Sequence, residues 1–198
     1  MKLSLKRIFK NLLYILGILL LGVIVMYFIP LTPSSELVEL SKESQKEYSD
    51  YTKNDSLIVL VDYSYPVFMK RFWVYNLKTD KVVLNTHVSH SWKSGLLFAT
   101  QFSNTPGSNL SSTGVIRISE KYHGKYGPSL RLDGLETNNN KIRERAIVIH
   151  PLVDIRLYGI KIPSEIALYS SGCFVLNNKI IERVRNLCHD GTLMVVVN

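Results

Sequence analysis

The chain has 198 residues, of which 46% are hydrophobic and 20% charged, a globular composition with room for one buried core plus an appendage. Lys2, Lys6, Arg7 and Lys10 supply half of the formal net charge of +8, so the remainder is only mildly basic and "KIRERA" is its one dense basic run. No repeat and no low-complexity tract is present, which excludes solenoids and fibres.

Behind the basic flank, Leu12 to Ile29 run 18 residues without a charge ("LLYILGILLLGVIVMYFI"). As a helix this is roughly 27 Å long, against a hydrocarbon thickness of about 30 Å. The run is longer than a signal-peptide core and no A-x-A-like cleavage site follows it, so it is expected to stay as an anchor. The basic end belongs in the cytoplasm, which places everything after Pro30 on the outer side of the membrane and makes nucleic acid an unsuitable partner. The expected organisation is a basic tail (1–11), a transmembrane anchor (12–29), a linker with a short helix (30–54) and one domain (55–198).

In "PLTPSSEL", Ser34 or Ser35 can cap a helix, and Leu37, Leu40, Ser44, Tyr48 and Tyr51 follow at steps of three and four. From Ser56 the pattern turns to β. "SLIVLVDYS" reads as a strand, "RFWVYNL" and "VVLNTHVS" as a hairpin around "KTDK", and "GVIRIS", "SLRLDGL" and "RAIVIH" as further strands. "NNKIIERVRNLCHDG" places Ile180, Ile181, Val184, Leu187 and Cys188 on one helical face before a final strand "TLMVVV". The predicted class is mainly β with short helices.

Chemistry can come from Cys173, Cys188 and five histidines, His87, His90, His123, His150 and His189. Two cysteines outside the cytoplasm allow a disulfide, although Cys188 falls on an apolar helix face where a free thiol packs as a small hydrophobe. The Cys and His residues lack the paired spacings of compact zinc sites, so no metal is expected. The third reading is a nucleophile. Cys173 follows Gly172, whose missing side chain admits a substrate carbonyl to the backbone, and His150 ends a predicted strand where side chains reach a cleft. A thiol beside an imidazole readily becomes a thiolate, which a thiol-reactive probe would label fast at neutral pH. "NLSS" at Asn109 reads as a loop.

The string "FSNTPGSNLSSTGVIRI … YGPSLRLDGLE … RERAIVIHP … SSGCFVL" resembles the murein L,D-transpeptidase catalytic domain, in the divergent branch of the YkuD-like family, over roughly Asp55 to Asn198. The resemblance implies a β-sandwich on the outer side of a bacterial cytoplasmic membrane, here behind a single transmembrane helix. Carried over by position, the nucleophile falls on Cys173, the general acid/base on His150, and the motif serine and glycine on Ser170 and Gly172, with Gly172 contributing a backbone oxyanion donor. Two positions depart from the family pattern: Ser171, taken as a substrate-binding position, stands where His is frequent, and Val175 where Arg or Asn commonly follows the cysteine. The grip on a substrate carboxylate is therefore assigned to Arg131 or Arg145, since a guanidinium holds a carboxylate through two parallel hydrogen bonds. His90, with Ser94 and Gly95, matches a segment that lines the substrate in the same branch.

The implied reaction is a two-stage acyl transfer on peptidoglycan stem peptides that needs neither metal nor organic cofactor. The alternatives within the same resemblance are a carboxypeptidase or amide hydrolase of the wall, and a wall-binding module that kept the fold and lost turnover.

Overall fold

A computed structural model describes residues 5–54, 56–151, 155–157, 160–162 and 170–198. Asp55, the expected domain start, lies outside them. Helix α1 (Leu5–Phe28) continues the apolar run back through the basic flank, because Lys and Arg are good helix formers. None of its residues is buried, and its length and composition fit a membrane span or a signal sequence.

Helix α2 (Ser35–Glu47) begins where Ser34 accepts a hydrogen bond from the Leu37 N–H. Its buried stripe is Leu37, Val38, Ser41 and Ser44, so Leu40 and Tyr51, expected on that face, are exposed instead. The stripe steps from 37 to 41 to 44, and the 100° advance per residue carries position 40 off it.

Strands β1 (Leu57–Asp62), β2 (Phe72–Asn76), β3 (Lys81–Thr86), β4 (Gly114–Gly124), β5 (Gly127–Gly134), β6 (Val148–Pro151), β9 (Phe174–Leu176) and β10 (Thr192–Val197) form one continuous sheet. Their order is β3-β2-β1-β10-β4-β5-β6-β9, and a separate pair joins β7 (Ile155–Leu157) to β8 (Ile160–Ile162). The pairs β1–β10 and β6–β9 are parallel, the others antiparallel. The mainly β architecture is as expected. Strand β4 runs five residues past "GVIRIS", to Gly124, and forms a tight hairpin with β5. Strand β6 starts only at Val148, three residues after the expected Arg145, because Ala146 adopts a left-handed φ of 53° that no strand accommodates.

Alternation along the strands divides the apolar residues between two cores. One face, from Leu84 of β3 to Phe174 and Leu176 of β9, closes over Ile181, Val184 and Cys188 at helix α3 (Asn178–Leu187). A single cluster can touch both edges of an eight-stranded sheet only if the sheet curls. On the other face, Ile58, Leu60, Trp73, Leu193 and Val195 pack against Leu37 and Val38 of α2. Cys188 is a fully buried free thiol whose pKa burial pushes up to about 12, and Cys173 is free as well.

Candidate active site

The site grows from the parallel pairing of β6 and β9. Ile149 lies opposite Phe174 in the ladder, and both side chains are in the large core. Neighbouring positions on a strand point to opposite faces, so His150 and Val175, the next rung, face away from that core. Cys173 immediately precedes β9. Twenty-three positions apart in sequence, Cys173 and His150 are thus brought together by the pairing of two adjacent strands.

The turn carrying Cys173 is built by Ser170. Its hydroxyl accepts from the Gly172 N–H (2.9 Å) and donates to the Cys173 carbonyl (2.6 Å), closing a small ring around the motif. Gly172 has φ 111°, and a Cβ there would come 2.7 Å from the Leu110 carbonyl, so only glycine fits. The assignment of Gly172 as oxyanion donor is thereby corrected: its N–H points at Ser170, and its contribution is conformational. Ser171 is exposed at the apex of the same turn. Removing the Ser170 hydroxyl takes away both bonds, about 2 kcal/mol of local support at roughly 1 kcal/mol each. Ser170→Ala is expected to lower the turnover rate about tenfold or more with KM little changed, while Ser170→Thr keeps it. Steady-state kinetics on the two variants check this.

The Cys173 thiol is half-buried and donates weakly to the Ala146 carbonyl (Sγ to O 3.7 Å). That carbonyl is presented by the left-handed residue, a strained conformation next to reacting groups. Burial raises the thiol pKa above its ordinary value, while the Val148 N–H and the Arg145 cation pull the other way. Desolvation therefore disfavours the anion and weighs against a readily formed thiolate.

His150 is buried, and burial lowers its pKa despite a hydrogen bond from Nδ1–H to the Pro151 carbonyl (2.8 Å). That bond fixes the tautomer and leaves Nε2 as the basic nitrogen. The Tyr126 ring stacks on the imidazole, 4.5 Å between centroids at 26°. Tyr126 sits at the tip of the β4–β5 hairpin, where Gly127 (φ 97°) lets the turn close over Pro151. Sequence reasoning missed Tyr126; the Gly-Lys-Tyr-Gly tetrapeptide at 124–127 is the signal that could have found it.

The two arginines separate. Arg131 lies opposite Val148, two residues before His150, and therefore on the sheet face of His150. Its Nε donates to Glu120 (2.8 Å) and its guanidinium covers the Tyr122 ring, yet a third of the side chain is open to solvent. Arg145 has a different task from the expected carboxylate grip. It donates to the Ser103 and Leu110 carbonyls, to Ser112 Oγ (2.7 Å) and to Ser108 Oγ (3.2 Å), lacing the 103–112 loop beside Cys173.

His90, expected to line the substrate, is fully buried with both ring nitrogens engaged. Nδ1 accepts from Arg71 Nη2 (2.6 Å) and Nε2–H donates to the Gly95 carbonyl (2.9 Å). Burial first, and the Arg71 cation second, lower its pKa to about 4. Its neighbour Ser89 exchanges hydrogen bonds with Val175, covering the outer edge of β9, so this segment supports the strand that follows Cys173.

Residues 33–197 match the family model of the L,D-transpeptidase catalytic domain. The chain belongs to this family. No curated protein matches it in sequence. Among solved structures, the chain is similar to an Enterococcus faecium L,D-transpeptidase mutant (14% identity, TM-score 0.44, covering 71% of this chain and 49% of that one). It is likewise similar to the helical cell shape determining protein Pgp2 of Campylobacter jejuni (16%, TM-score 0.48, 74% and 48%). A third is L,D-transpeptidase 1 of Mycobacterium tuberculosis (12%, TM-score 0.42, 72% and 62%). The chain thus spans about half to three-fifths of the length of these solved structures. In this L,D-transpeptidase domain, Cys173 directly precedes β9 and His150 lies on its parallel neighbour β6.

Proposed function

We propose that the protein is a membrane-anchored cysteine acyltransferase acting on peptidoglycan stem peptides. The observation that supports the proposal is the pairing of β6 with β9, which brings His150, with its tautomer fixed by Pro151, to the strand beside the turn that carries Cys173.

The Cys173 S–H gives its proton to His150 Nε2 as sulfur attacks the carbonyl between the third-position diamino acid and the terminal D-Ala. The oxyanion is received by backbone N–H groups at the nucleophile's turn, of which the Cys173 N–H is the first, since that of Gly172 is engaged. Collapse breaks the amide, His150 returns the proton to the leaving amine, and D-Ala departs. The resulting thioester is attacked by the side-chain amine of a second stem, which loses its proton to His150, and the thiol is regenerated. Arg131, a third open to solvent on the sheet face of His150, supplies the guanidinium that holds the donor carboxylate. Helix α1 anchors the chain and keeps the domain beside its substrate on the outer side of the cytoplasmic membrane.

The test uses the full chain in detergent with purified tetrapeptide muropeptides, as the native protein and as Cys173→Ala, read by mass spectrometry. Loss of D-Ala with a new dimer joined through third-position residues, in the native protein alone, is expected. D-Ala loss without a dimer makes it a carboxypeptidase, and identical products from both proteins would point to a binding module.

A further inference from the structure

The segment between β3 and the 103–112 loop exposes four large apolar side chains in seven residues: Trp92, Leu96, Leu97 and Phe98, with Leu96 open to 74%. Its backbone is nevertheless held from within. The Gly95 carbonyl accepts from His90, the Ser94 carbonyl from the Thr100 and Gln101 N–H groups, and the Leu97 carbonyl from the Val67 N–H. Ser94 Oγ accepts from the Ser111 N–H (2.8 Å). A loop whose polar groups are satisfied inward while its apolar side chains point outward is a built surface, and contiguous exposed apolar surface marks an interaction site.

What it meets follows from α1. Leu96, Leu97 and Val67 wall an apolar cavity of about 680 Å³ whose opposite wall is Leu20, Val23 and Ile24 of α1. The exit of α1 is fixed against the domain, with Tyr27 stacked on His87 (4.2 Å) and Lys70 Nζ donating to the Phe28 carbonyl (2.8 Å). Leu20 lies eight residues before the helix end, roughly 12 Å at 1.5 Å per residue, so the loop reaches well below the level at which a spanning α1 would leave the hydrocarbon. Beside it, Lys93 Nζ stands 5.6 Å over the Trp92 ring, an amphipathic aromatic and a cation of the kind that settle at a headgroup boundary.

We infer that the 92–98 loop inserts into the outer leaflet of the membrane that α1 spans, and that lipid acyl chains fill the cavity between them. The inference rests on the reading of α1 as an anchor. It gives the domain a second membrane contact, and the His90 and Ser89 segment links that contact to β9, so the catalytic face is held at a set orientation to the bilayer.

The full chain is reconstituted in phosphatidylethanolamine/phosphatidylglycerol vesicles whose acyl chains are, or are not, brominated, and tryptophan emission is compared after flotation. Trp73 is fully buried, so the quenched component reports Trp92. Brominated lipid is expected to quench wild-type emission, the quenched component to vanish in Trp92→Phe, and Leu96→Asp/Leu97→Asp to lose most of it. Flotation with equal emission in both vesicles overturns the loop inference while the anchor stands. Flotation with unquenched emission and cross-links between copies through Lys93 makes the face a contact with a second copy, which also overturns it. Failure to float overturns the anchor, and the inference with it.

Discussion

His150→Gln is expected to lower acyl transfer by about 10²- to 10⁴-fold, the usual worth of a general acid/base, while leaving the alkylation of Cys173 by iodoacetamide almost unchanged. The two readouts part because of the charge state of the pair. Burial lowers the His150 pKa and raises that of Cys173, and both shifts favour a neutral thiol and imidazole over an ion pair. In an ion pair, losing the imidazolium would raise the thiol pKa and slow alkylation sharply. In a neutral pair, His150 acts only when substrate carbonyl and nucleophile react together. The signs can be read in a pH profile. Activity falls on acidification only below the ordinary histidine value of about 6.5, because the folded imidazole binds its proton late. Alkylation climbs about tenfold per pH unit from 6 to 9 without a plateau, since the thiolate fraction is still growing there. A plateau across neutral pH would show a preformed thiolate and overturn this account.

The residues that local chemistry decides were the readable ones. The continuous apolar runs in "SLIVLVDYS" and "TLMVVV" become β1 and β10, a parallel pair buried on both faces, and Ser34 and Asn177 cap the helices they precede. Cys173 and His150 carry a motif, and the pairing of β6 with β9 brings their segments together. What could not be read is what long-range contact decides. The Arg145 guanidinium binds groups 33 to 42 positions away, and no local pattern distinguishes it from Arg131, which stays half-open. His90 looks like a loop histidine until the fold buries it against Arg71. The group orienting His150 is the backbone carbonyl of the next residue, which leaves no trace in residue type. Strand β9 is too short for its period to show, and exists because β6 and Ser89 flank it.

Arg71 yields the largest stability effect. It is fully buried at the start of β2, where "RFW" reads as a charge at a strand end. Its partners are carbonyls and a ring: Nε and Nη2 donate to Val88 O, Nη1 to Tyr65 O and Nη2 to His90, with the guanidinium 4.9 Å from the Tyr63 ring centroid. Burial lowers its pKa to about 10, still far above neutrality, so the charge persists in the core. Arg71→Ala leaves two carbonyls and an imidazole nitrogen without donors, at about 1–3 kcal/mol each, and opens a cavity. Against a typical total stability of about 5–15 kcal/mol, an expected loss of about 4 kcal/mol or more puts the variant near unfolding, and Arg71→Lys recovers only part of it. Urea denaturation followed by Trp73 emission measures both. The pH dependence identifies the mechanism. His90 binds a proton near 6.5 in the unfolded chain and only near 4 in the folded one, so stability is full above about 6.5 and is lost as pH falls toward 4, by about 3 kcal/mol. Removing the Arg71 cation lets His90 accept its proton more readily, so that acid loss shrinks in Arg71→Met. An unchanged acid slope would mean that burial alone, and not the arginine, keeps His90 neutral behind the nucleophile's strand.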